Sequence, residues 1–327
     1  MNHMLLNTDS KKWLKSRFKI NVKFDEPLSA HTSFRVGGPA AAYVVPKKQK
    51  DLFELITWLK ERKYPFLIIG AGTNLLVKDE GLPGIVIGLQ RCLNRILIKE
   101  NLKDTVTVKA MAGAKLGRLC WFALKHGLEG MNFALGIPGT VGGGIMMNAG
   151  TTYGWMEGVL EAITVLFPSG NMASIGRDKL DFSYRALSWE KEDPRYNLGR
   201  PIIVDGCFNL NKADSQKLRD EAETLLKTRE KKQPTTRPSA GCFFKNPVSG
   251  RTAGELIEKA GLKGRRIGGA EVSTKHANFI INTGKATAAD ILALMELIQE
   301  TVLKKYNIQL DTEVKIVGKE TCTEKLL

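Results

Sequence analysis

A glycine-dense segment at residues 136–150 limits what this chain can fold into more than any other feature. It reads Gly-Ile-Pro-Gly-Thr-Val-Gly-Gly-Gly-Ile-Met-Met-Asn-Ala-Gly. Because glycine has no Cβ, the backbone N–H groups of such a segment can approach a ligand closely. Phosphate and diphosphate are the groups that such loops often hold. The Gly-Lys-Ser/Thr of a Walker loop and the G-x-G-x-x-G of a Rossmann turn are both absent. The segment therefore predicts a phosphate-binding loop of another kind.

A second glycine loop lies upstream at residues 70–77, with the sequence Gly-Ala-Gly-Thr-Asn-Leu-Leu-Val. It directly follows the apolar run Phe-Leu-Ile-Ile at 66–69, which predicts a buried strand. Leu75 stands where a Rossmann turn has its third glycine. Either loop alone is equally well explained as a tight turn between strands. Together they favour one large dinucleotide that is held from two sides.

The composition is typical of a globular protein with two or three domains, since the chain has 327 residues, 43% of them hydrophobic and 25% charged. No apolar run is long enough to span a bilayer, and residues 1–19 lack the apolar region of a secretory signal. The five cysteines, Cys322 among them, are scattered without a Cys-x-x-Cys pair, and no histidines are paired at metal-ligand spacing. We therefore expect reduced thiols, a cytoplasmic location, no membrane partner and no metal.

The net charge of +15 has two explanations. A basic chain often binds nucleic acid. However, the basic residues are spread along the sequence, and no RNA-recognition, helix-turn-helix or zinc-finger pattern accompanies them. The alternative is a positive cleft that attracts small anionic ligands. We expect the second, and no nucleic-acid partner.

Helical and strand-like patterns alternate along the whole chain, which indicates a mixed fold of helices and strands. The predicted helices are at 48–63, 114–126, 214–232, 252–260 and 287–305. Gly127 is a typical residue to end the second of these, and Asp214 is a typical N-cap for the third. The predicted strands are at 66–69, 85–89, 94–99, 105–111, 162–167, 172–175, 201–210, 242–245, 277–281 and 313–317. A domain boundary is predicted near residue 214.

The two glycine loops, with His-Thr-Ser-Phe-Arg-Val-Gly-Gly at 31–38, resemble the FAD-binding module of the vanillyl-alcohol-oxidase-like (PCMH-type) flavoproteins. Five further segments narrow this resemblance to one family: 238–247, 260–264, 267–270, 275–282 and 313–318. They resemble the active-site and C-terminal motifs of the UDP-N-acetylenolpyruvoylglucosamine reductases, in the same order. The likeness runs from about Leu28 to Gly318. The chain lacks the long tyrosine-bearing insertion of one subclass, so the shorter subclass is the better match.

The resemblance implies an α+β fold, with a two-lobed FAD-binding module and a smaller α/β substrate domain. Residues 1–20 would be an N-terminal extension, 21–90 and 91–213 the two lobes, and 214–327 the substrate domain. The implied cofactors are non-covalent FAD and NADPH as hydride donor. The implied activity, an NADP-dependent UDP-N-acetylmuramate dehydrogenase in peptidoglycan precursor synthesis, reduces the enolpyruvyl ether of UDP-N-acetylglucosamine. We expect a monomer whose partner is this small nucleotide-sugar.

Three residues match catalytic positions of the resembled family. Arg185 matches an arginine whose planar fork suits a carboxylate that gains charge, although an arginine after a tyrosine is otherwise an ordinary surface residue. Leu187 stands where the family usually has a serine. Glu313 matches a second stabilising residue, and its alternative is a solvated strand edge. Cys242 replaces the usual serine proton donor. Its alternative is a small buried core thiol, and burial would be needed to keep the thiol protonated beside arginine.

The remaining site residues are also implied by the resemblance. Lys245, Asn246 and Arg229 would bind substrate, and the alternative for the charged ones is a solvated surface. The FAD contacts would be Gly70, Gly72, Thr73, Asn74, Leu75, Gly139, Thr140, Gly142, Gly143, Asn148 and Gly150. For the polar members of this set the alternative role is to cap turns.

Two other functions fit parts of the pattern. An FAD-dependent oxidase or dehydrogenase of the same fold would share the glycine loops, but not the motifs at 238–247 and 313–318. A nucleotide-binding module without catalysis would take up no flavin at all. Reduction by NADPH and reactivity toward oxygen distinguish the three.

Overall fold

The apolar run at 66–69 forms a strand within the N-terminal lobe of the computed structural model, which describes residues 6–167, 169–189, 201–248 and 250–319. The elements of this lobe are α1 (Thr8–Phe18), β1 (Val22–Pro27), β2 (Pro39–Val44), α2 (Gln49–Glu61), β3 (Phe66–Ile69), β4 (Leu75–Val77) and β5 (Leu82–Gly88). The sheet has the order β1–β2–β5–β3, in which β5 runs parallel to β2 and to β3. The glycine loop at 70–74 therefore leaves the carboxyl end of a parallel strand, which is only partly buried except at Ile69.

The N-terminal helix α1 is part of this lobe rather than a separate extension. Its Leu14 and Phe18 are buried in the same core as α2. Trp13 stacks on Trp58 with ring centroids 4.3 Å apart and an interplanar angle of 2°. The Arg17 guanidinium forms ion pairs with carboxylates of α2. The helix thus covers the outer face of α2.

The second lobe is built around an antiparallel sheet. Its elements are β6 (Ile96–Asn101), β7 (Thr105–Met111), α3 (Leu116–Lys125), β8 (Leu128–Glu129), α4 (Val141–Met146), β9 (Gly150–Thr151), β10 (Gly154–Trp155), β11 (Leu160–Leu166), β12 (Met172–Gly176), β13 (Leu180–Ser183), β14 (Ala186–Trp189) and β15 (Ile202–Lys212). The sheet order is β12–β11–β15–β7–β6, with β8 beside β15. As predicted, α3 is followed by Gly127, whose φ of +63° is the left-handed conformation that ends many helices.

The long helix α5 (Ser215–Lys232) connects the two halves of the chain. As predicted, Asp214 is its N-cap, and Oδ1 accepts a hydrogen bond of 2.7 Å from the backbone N–H of Lys217. The buried residues of the helix, Leu218 and Ala222, pack in the core of the second lobe. The helix therefore packs with the second lobe.

The C-terminal region packs around a second core, to which Phe34, Val36 and Leu76 of the N-terminal lobe also contribute. Its elements are α6 (Ala253–Lys259), β16 (Arg266–Ile267), β17 (Ala270–Val272), β18 (Ile280–Asn282), α7 (Ala288–Tyr306) and β19 (Lys315–Val317). The strands β16, β17 and β18 are antiparallel neighbours. The predicted strand at 242–245 is wrong: only Phe244 makes a bridge, to Thr312, because the neighbouring N–H groups bond to separate loops.

Two contacts fasten the C-terminal region to the N-terminal lobe. Strand β19 pairs in parallel with β4, which directly follows the first glycine loop. The carboxylate of Asp79 accepts hydrogen bonds of 2.9 Å from the backbone N–H groups of Ala288 and Ala289, at the start of α7. A carboxylate is favourable at a helix N-terminus, where unpaired N–H groups and the helix dipole attract it. The chain therefore returns to the glycine loop at its C-terminal end.

Within the described residues, no helix is both long and apolar enough to cross a membrane, and no three His, Cys, Asp or Glu side chains are grouped as a metal site. Cys322 lies outside the described residues. Residues 190–200, the second part of the segment between the β11–β12 hairpin and β15, also lie outside the described residues, so the predicted lack of the tyrosine-bearing insertion stays a prediction.

Candidate active site

A cavity of about 1720 Å³ opens between the lobes and the C-terminal region. It exceeds the roughly 300–1,000 Å³ of most small-molecule sites, so it has room for more than one ligand. Most of the predicted site residues line it: Gly70, Gly72, Thr73, Asn74, Leu75, Gly139, Thr140, Gly142, Gly143, Gly150, Arg185, Arg229, Cys242 and Glu313. Residues that are far apart in sequence thus share one wall.

The two glycine loops touch each other. The hydroxyl of Thr73 donates a hydrogen bond of 3.1 Å to the carbonyl of Pro138. A Cβ at Gly70 would lie only 2.4 Å from Oγ1 of Thr140, so a side chain at that position would force the loops apart. Thr140 in turn is the N-cap of α4. The prediction that both loops face one space agrees with this arrangement.

Gly143 differs from its neighbours because protein packing does not require it to be glycine. A Cβ at Gly142 would lie 2.8 Å from the Cβ of Ala112, so that glycine is needed for packing. A Cβ at Gly143 would meet nothing closer than Oγ1 of Thr140, at an ordinary 3.5 Å. Gly143 borders the cavity, so a side chain there would take up space that a ligand can use.

Asn148 takes the structural alternative rather than a cofactor contact. It is 4% exposed and lies outside the cavity wall. Its Nδ2 donates to the carbonyl of Ser183, and its Oδ1 accepts from the backbone N–H of Glu157. Its φ of +39° is a conformation that asparagine tolerates better than most residues. Both ends of the amide are therefore used to hold the turn after α4.

Arg185 lies at the tip of the hairpin formed by β13 and β14. Its φ of +60° is in the left-handed region, which costs a residue with a side chain of order 1–3 kcal/mol. The guanidinium Nε lies 2.9 Å from Oε1 of Glu313, and Nη1 donates to the carbonyl of Gly150 at 3.3 Å. The buried Nε–H is not directed at the carboxylate and makes no hydrogen bond. The site therefore holds a cation with unused donors.

Glu313 reaches this arginine from the segment just before β19. Its carboxylate is 15% exposed. Burial raises the pKa of Glu313, and the cations of Arg185 and Lys245 oppose that rise. Nδ2 of Asn74, in the first glycine loop, donates to the backbone carbonyl of Glu313 at 3.1 Å. The loop that borders the cavity thus also positions the acidic residue.

Cys242 follows Gly241, whose φ of +80° favours glycine. Burial raises the pKa of the Cys242 thiol to about 12, and the negative charge of Glu313 adds to the rise. The positive charges of Arg185 and Arg229 lower the pKa, but they do not offset the burial. The thiol is therefore protonated at neutral pH. A cysteine beside arginine can act as a proton donor only if its thiol stays protonated in this way.

Arg229 lies in the last turn of α5. Its side chain is partly buried, so it is not the fully solvated residue of the alternative. Burial lowers the pKa of its guanidinium, and Nη2 donates to Oε1 of Gln233. By contrast, Lys245 and Asn246 lie outside the cavity wall. Asn246 accepts a hydrogen bond from the backbone N–H of Ala253 and so caps the start of α6. For all three, substrate binding stays a prediction.

The charges around the cavity are strongly unequal. Glu313 is the one acidic residue among the described residues that line it. The basic residues are Arg35, Lys60, Lys63, Arg185, Arg229, Lys232, Arg237 and Lys315. Such a wall attracts diphosphate and carboxylate groups. Lys60 and Lys63 were not predicted as site residues, because their helix reads as an ordinary amphipathic surface helix.

Family models and similar proteins match this chain over most of its length. The family model for an FAD binding domain matches residues 40–176, and that for the C-terminal domain of UDP-N-acetylenolpyruvoylglucosamine reductase matches 233–317. The reductase of Desulfosudis oleivorans is 43% identical over 94% of this chain and 98% of its own length. The reductase of Caldanaerobacter subterraneus is also 43% identical, over 90% of this chain and 93% of its own. The reductase structure from Thermus caldophilus is 33% identical, has a TM-score of 0.74, and covers 89% of this chain and 97% of that one.

Proposed function

The chain belongs to the UDP-N-acetylenolpyruvoylglucosamine reductase family, and from that premise we propose how its own residues perform the reaction. The protein is an FAD-dependent oxidoreductase that uses NADPH to convert the enolpyruvyl ether of UDP-N-acetylglucosamine to UDP-N-acetylmuramate, a step of peptidoglycan precursor synthesis. The alternative of an oxidase or dehydrogenase on the same fold is set aside by these relatives. The roles of individual residues are argued below from the geometry.

The residues that border the cavity fit FAD. The space beside Gly143, where a Cβ would lie, is not filled by other protein atoms. The two loops, joined through Thr73 and Pro138, present backbone to the cavity from two sides. The surplus of basic side chains suits a diphosphate. We assign FAD to the loops at 70–75 and 139–143. When bound, FAD supplies hydride transfer from NADPH to C3 of the enolpyruvyl group.

We propose that the Cys242 thiol donates the proton that C2 of the substrate requires. Addition of a hydride at C3 leaves negative charge at C2 and on the adjoining carboxylate, and a proton at C2 completes the reduction. A general acid must hold its proton until that moment. Because burial raises the pKa of Cys242 to about 12, the thiol satisfies this condition. The thiolate that remains then takes a proton from solvent, which restores the thiol.

We propose that Arg185 stabilises the negative charge that develops on the substrate carboxylate. Within the described part of the protein its guanidinium makes one hydrogen bond, from Nη1 to the carbonyl of Gly150, so its other terminal N–H groups remain for a ligand. A donor that is fixed in place before the reaction acts most strongly where charge develops. Glu313 holds the guanidinium through the ion pair at 2.9 Å. Its charge also keeps the nearby thiol protonated.

The diphosphate of the substrate and the phosphates of NADPH would use the remaining cations of the wall. Arg229 is the best placed of the predicted ones, because it is partly buried and close enough to Cys242 to affect its pKa. Lys245 acts electrostatically on Glu313, and the adjacent Asn246 accepts a hydrogen bond from the backbone N–H of Ala253 at the start of α6. We further propose a cytoplasmic monomer of the shorter subclass, in keeping with the free cysteines of the described part of the chain.

The observation that carries this proposal is that Arg185, Glu313 and Cys242 meet on the wall of the glycine-loop cavity. Its direct test is anaerobic. NADPH should bleach the yellow protein, and the enolpyruvyl substrate should restore the colour in one turnover. Colour that returns with oxygen but not with the substrate would contradict the proposal, and so would a protein that takes up no flavin.

A further inference from the structure

Aromatic rings surround the guanidinium of Arg185. Its Cζ lies 5.6 Å from the ring centroid of Trp155 and 5.3 Å from that of Tyr184. The two rings are themselves 6.3 Å apart at an angle of 71°. Cations within about 6 Å of a ring centroid are attracted to the negative ring face. The arginine therefore has aromatic contacts in addition to its contacts with Glu313 and Gly150.

Trp155 is placed by its pairing with Gly150. The two residues are opposite each other in the β9–β10 hairpin. A Cβ at residue 150 would lie 2.3 Å from Cε3 of Trp155, so the indole packs directly over the glycine. The carbonyl of the same glycine accepts the hydrogen bond from Nη1 of Arg185. Gly150 thus fixes both the indole and the guanidinium, which explains why glycine stands there.

Tyr184 is the hairpin neighbour whose ring contacts the arginine, whereas Leu187 and Ser188 do not hold it. Leu187 is 5% exposed and packs in the core. The hydroxyl of Ser188 donates to Oδ2 of Asp181 and is not bonded to Arg185. Since Arg185 also lies at a hairpin tip in a left-handed conformation, its long side chain needs contacts from another element. The β9–β10 hairpin provides them.

We propose that Trp155 is a positioning residue for Arg185. This inference rests on the proposed function. The indole face limits the rotamers of the guanidinium, keeps Nη1 on the carbonyl of Gly150, and leaves the other donors directed at the substrate carboxylate. Trp155 is 39% exposed, so its replacement does not open the core. The tryptophan thus acts on the half-reaction in which Arg185 stabilises charge, and not on flavin reduction.

The test compares the two half-reactions by anaerobic stopped-flow in Trp155→Leu and Trp155→Phe. Trp155→Leu should slow reoxidation by the enolpyruvyl substrate roughly 5- to 30-fold, the factor that corresponds to one cation–π contact. Reduction by NADPH, flavin content and melting temperature should be unchanged. Trp155→Phe should recover most of the rate. Trp121→Leu, which removes an exposed tryptophan remote from the cavity, is the control.

A double-mutant cycle shows whether the effect passes through the arginine. In an Arg185→Ala background, Trp155→Leu should cost nothing further. Fluorinated tryptophan placed only at position 155 keeps the shape and weakens the ring face, so the rate should fall with each added fluorine. Equal slowing in both backgrounds, equal slowing of both half-reactions, or an unchanged rate would overturn the inference. A wild-type protein that the substrate does not reoxidise would instead overturn the proposed function, and this inference with it.

Discussion

Arg185 and Glu313 form an ion pair, with Nε 2.9 Å from Oε1, between a hairpin of the FAD-binding module and the segment before the last strand. Both side chains are largely buried, at 17% and 15% exposure. Burying two charges is costly unless they are paired and hydrogen-bonded. Within the described residues the guanidinium makes one hydrogen bond, from Nη1 to Gly150. Its other terminal N–H groups therefore remain for an anionic ligand.

Replacing Arg185 should separate the two half-reactions. Arg185→Ala should slow reoxidation by the enolpyruvyl substrate by roughly 10²–10³-fold, the usual loss for one donor to a developing charge. Reduction of the flavin by NADPH should stay near the wild-type rate. Arg185→Lys should recover little, because an ammonium group lacks the planar fork that contacts Gly150 and Glu313 together. Stopped-flow traces check this, and equal slowing of both halves would refute the assigned role.

Gly143 should be needed for flavin binding and not for folding. Gly143→Val places a branched side chain in the cavity, where protein atoms leave room for it. We expect a folded, colourless protein with a wild-type far-UV circular dichroism spectrum. Gly117→Val is the matched control, since a Cβ there meets nothing within 4 Å, a Cβ at Gly143 makes only an ordinary contact at 3.5 Å, and Gly117 lies outside the cavity. Normal flavin absorbance in Gly143→Val would show that this loop does not hold the cofactor.

The charge of Glu313 should protect the thiol from ionisation. Because the carboxylate helps to raise the pKa of Cys242, Glu313→Gln should lower that pKa. Only the thiolate reacts with iodoacetamide, so the Cys242 peptide should be alkylated faster in the variant at pH 9. Glu271→Gln, which alters another buried carboxylate, paired with Arg266, is the control. Mass spectrometry of the digested protein follows the reaction, and an unchanged or lower rate would contradict the coupling.

Alkaline pH should destabilise the fold through two thiols, the buried Cys120 and the partly buried Cys92. Burial raises the pKa of Cys92 and of Cys120 to about 12, against about 9 for an exposed thiol. Between these values the unfolded chain releases protons that the folded chain retains, so the free energy of unfolding falls as pH rises. At pH 10 each thiol should account for roughly 1 kcal/mol. Urea midpoints at pH 8 and 10 should therefore differ more in the wild type than in a Cys92→Ala, Cys120→Ala variant, and identical pH slopes would contradict this origin.

Elements whose start or end depends on residues close together in sequence were predicted correctly. The helix α5 was predicted from its N-cap Asp214 and the helical periodicity after it, the end of α3 from Gly127, and β7 from its alternating apolar and polar residues. The strand expected at 242–245 failed because its N–H groups bond to Asn278 and Asp311, in two different loops. An apolar run cannot show which partners the tertiary structure supplies.

The candidate site was predictable only in part for the same reason. The motifs around Arg185, Cys242 and Glu313 indicated that these residues are catalytic. They did not show that the three residues lie together in the structure. Gly150 was predicted as a cofactor contact, and its packing against Trp155 could not be read from the sequence, since it depends on the pairing of β9 with β10. Trp155 itself gave no signal, because one exposed tryptophan in a turn matches no pattern.

Whether Cys242 delivers the proton to C2 can be measured from the reoxidation rate of pre-reduced enzyme by the enolpyruvyl substrate in Cys242→Ser and Cys242→Ala. The serine variant should keep substantial activity, because a hydroxyl can also donate a proton. The alanine variant should lose several orders of magnitude in this rate while NADPH still reduces its flavin normally. The wild-type rate should show no loss from thiol ionisation up to about pH 10, since the pKa is raised to about 12. Reoxidation of Cys242→Ala at a near wild-type rate would contradict this role of Cys242.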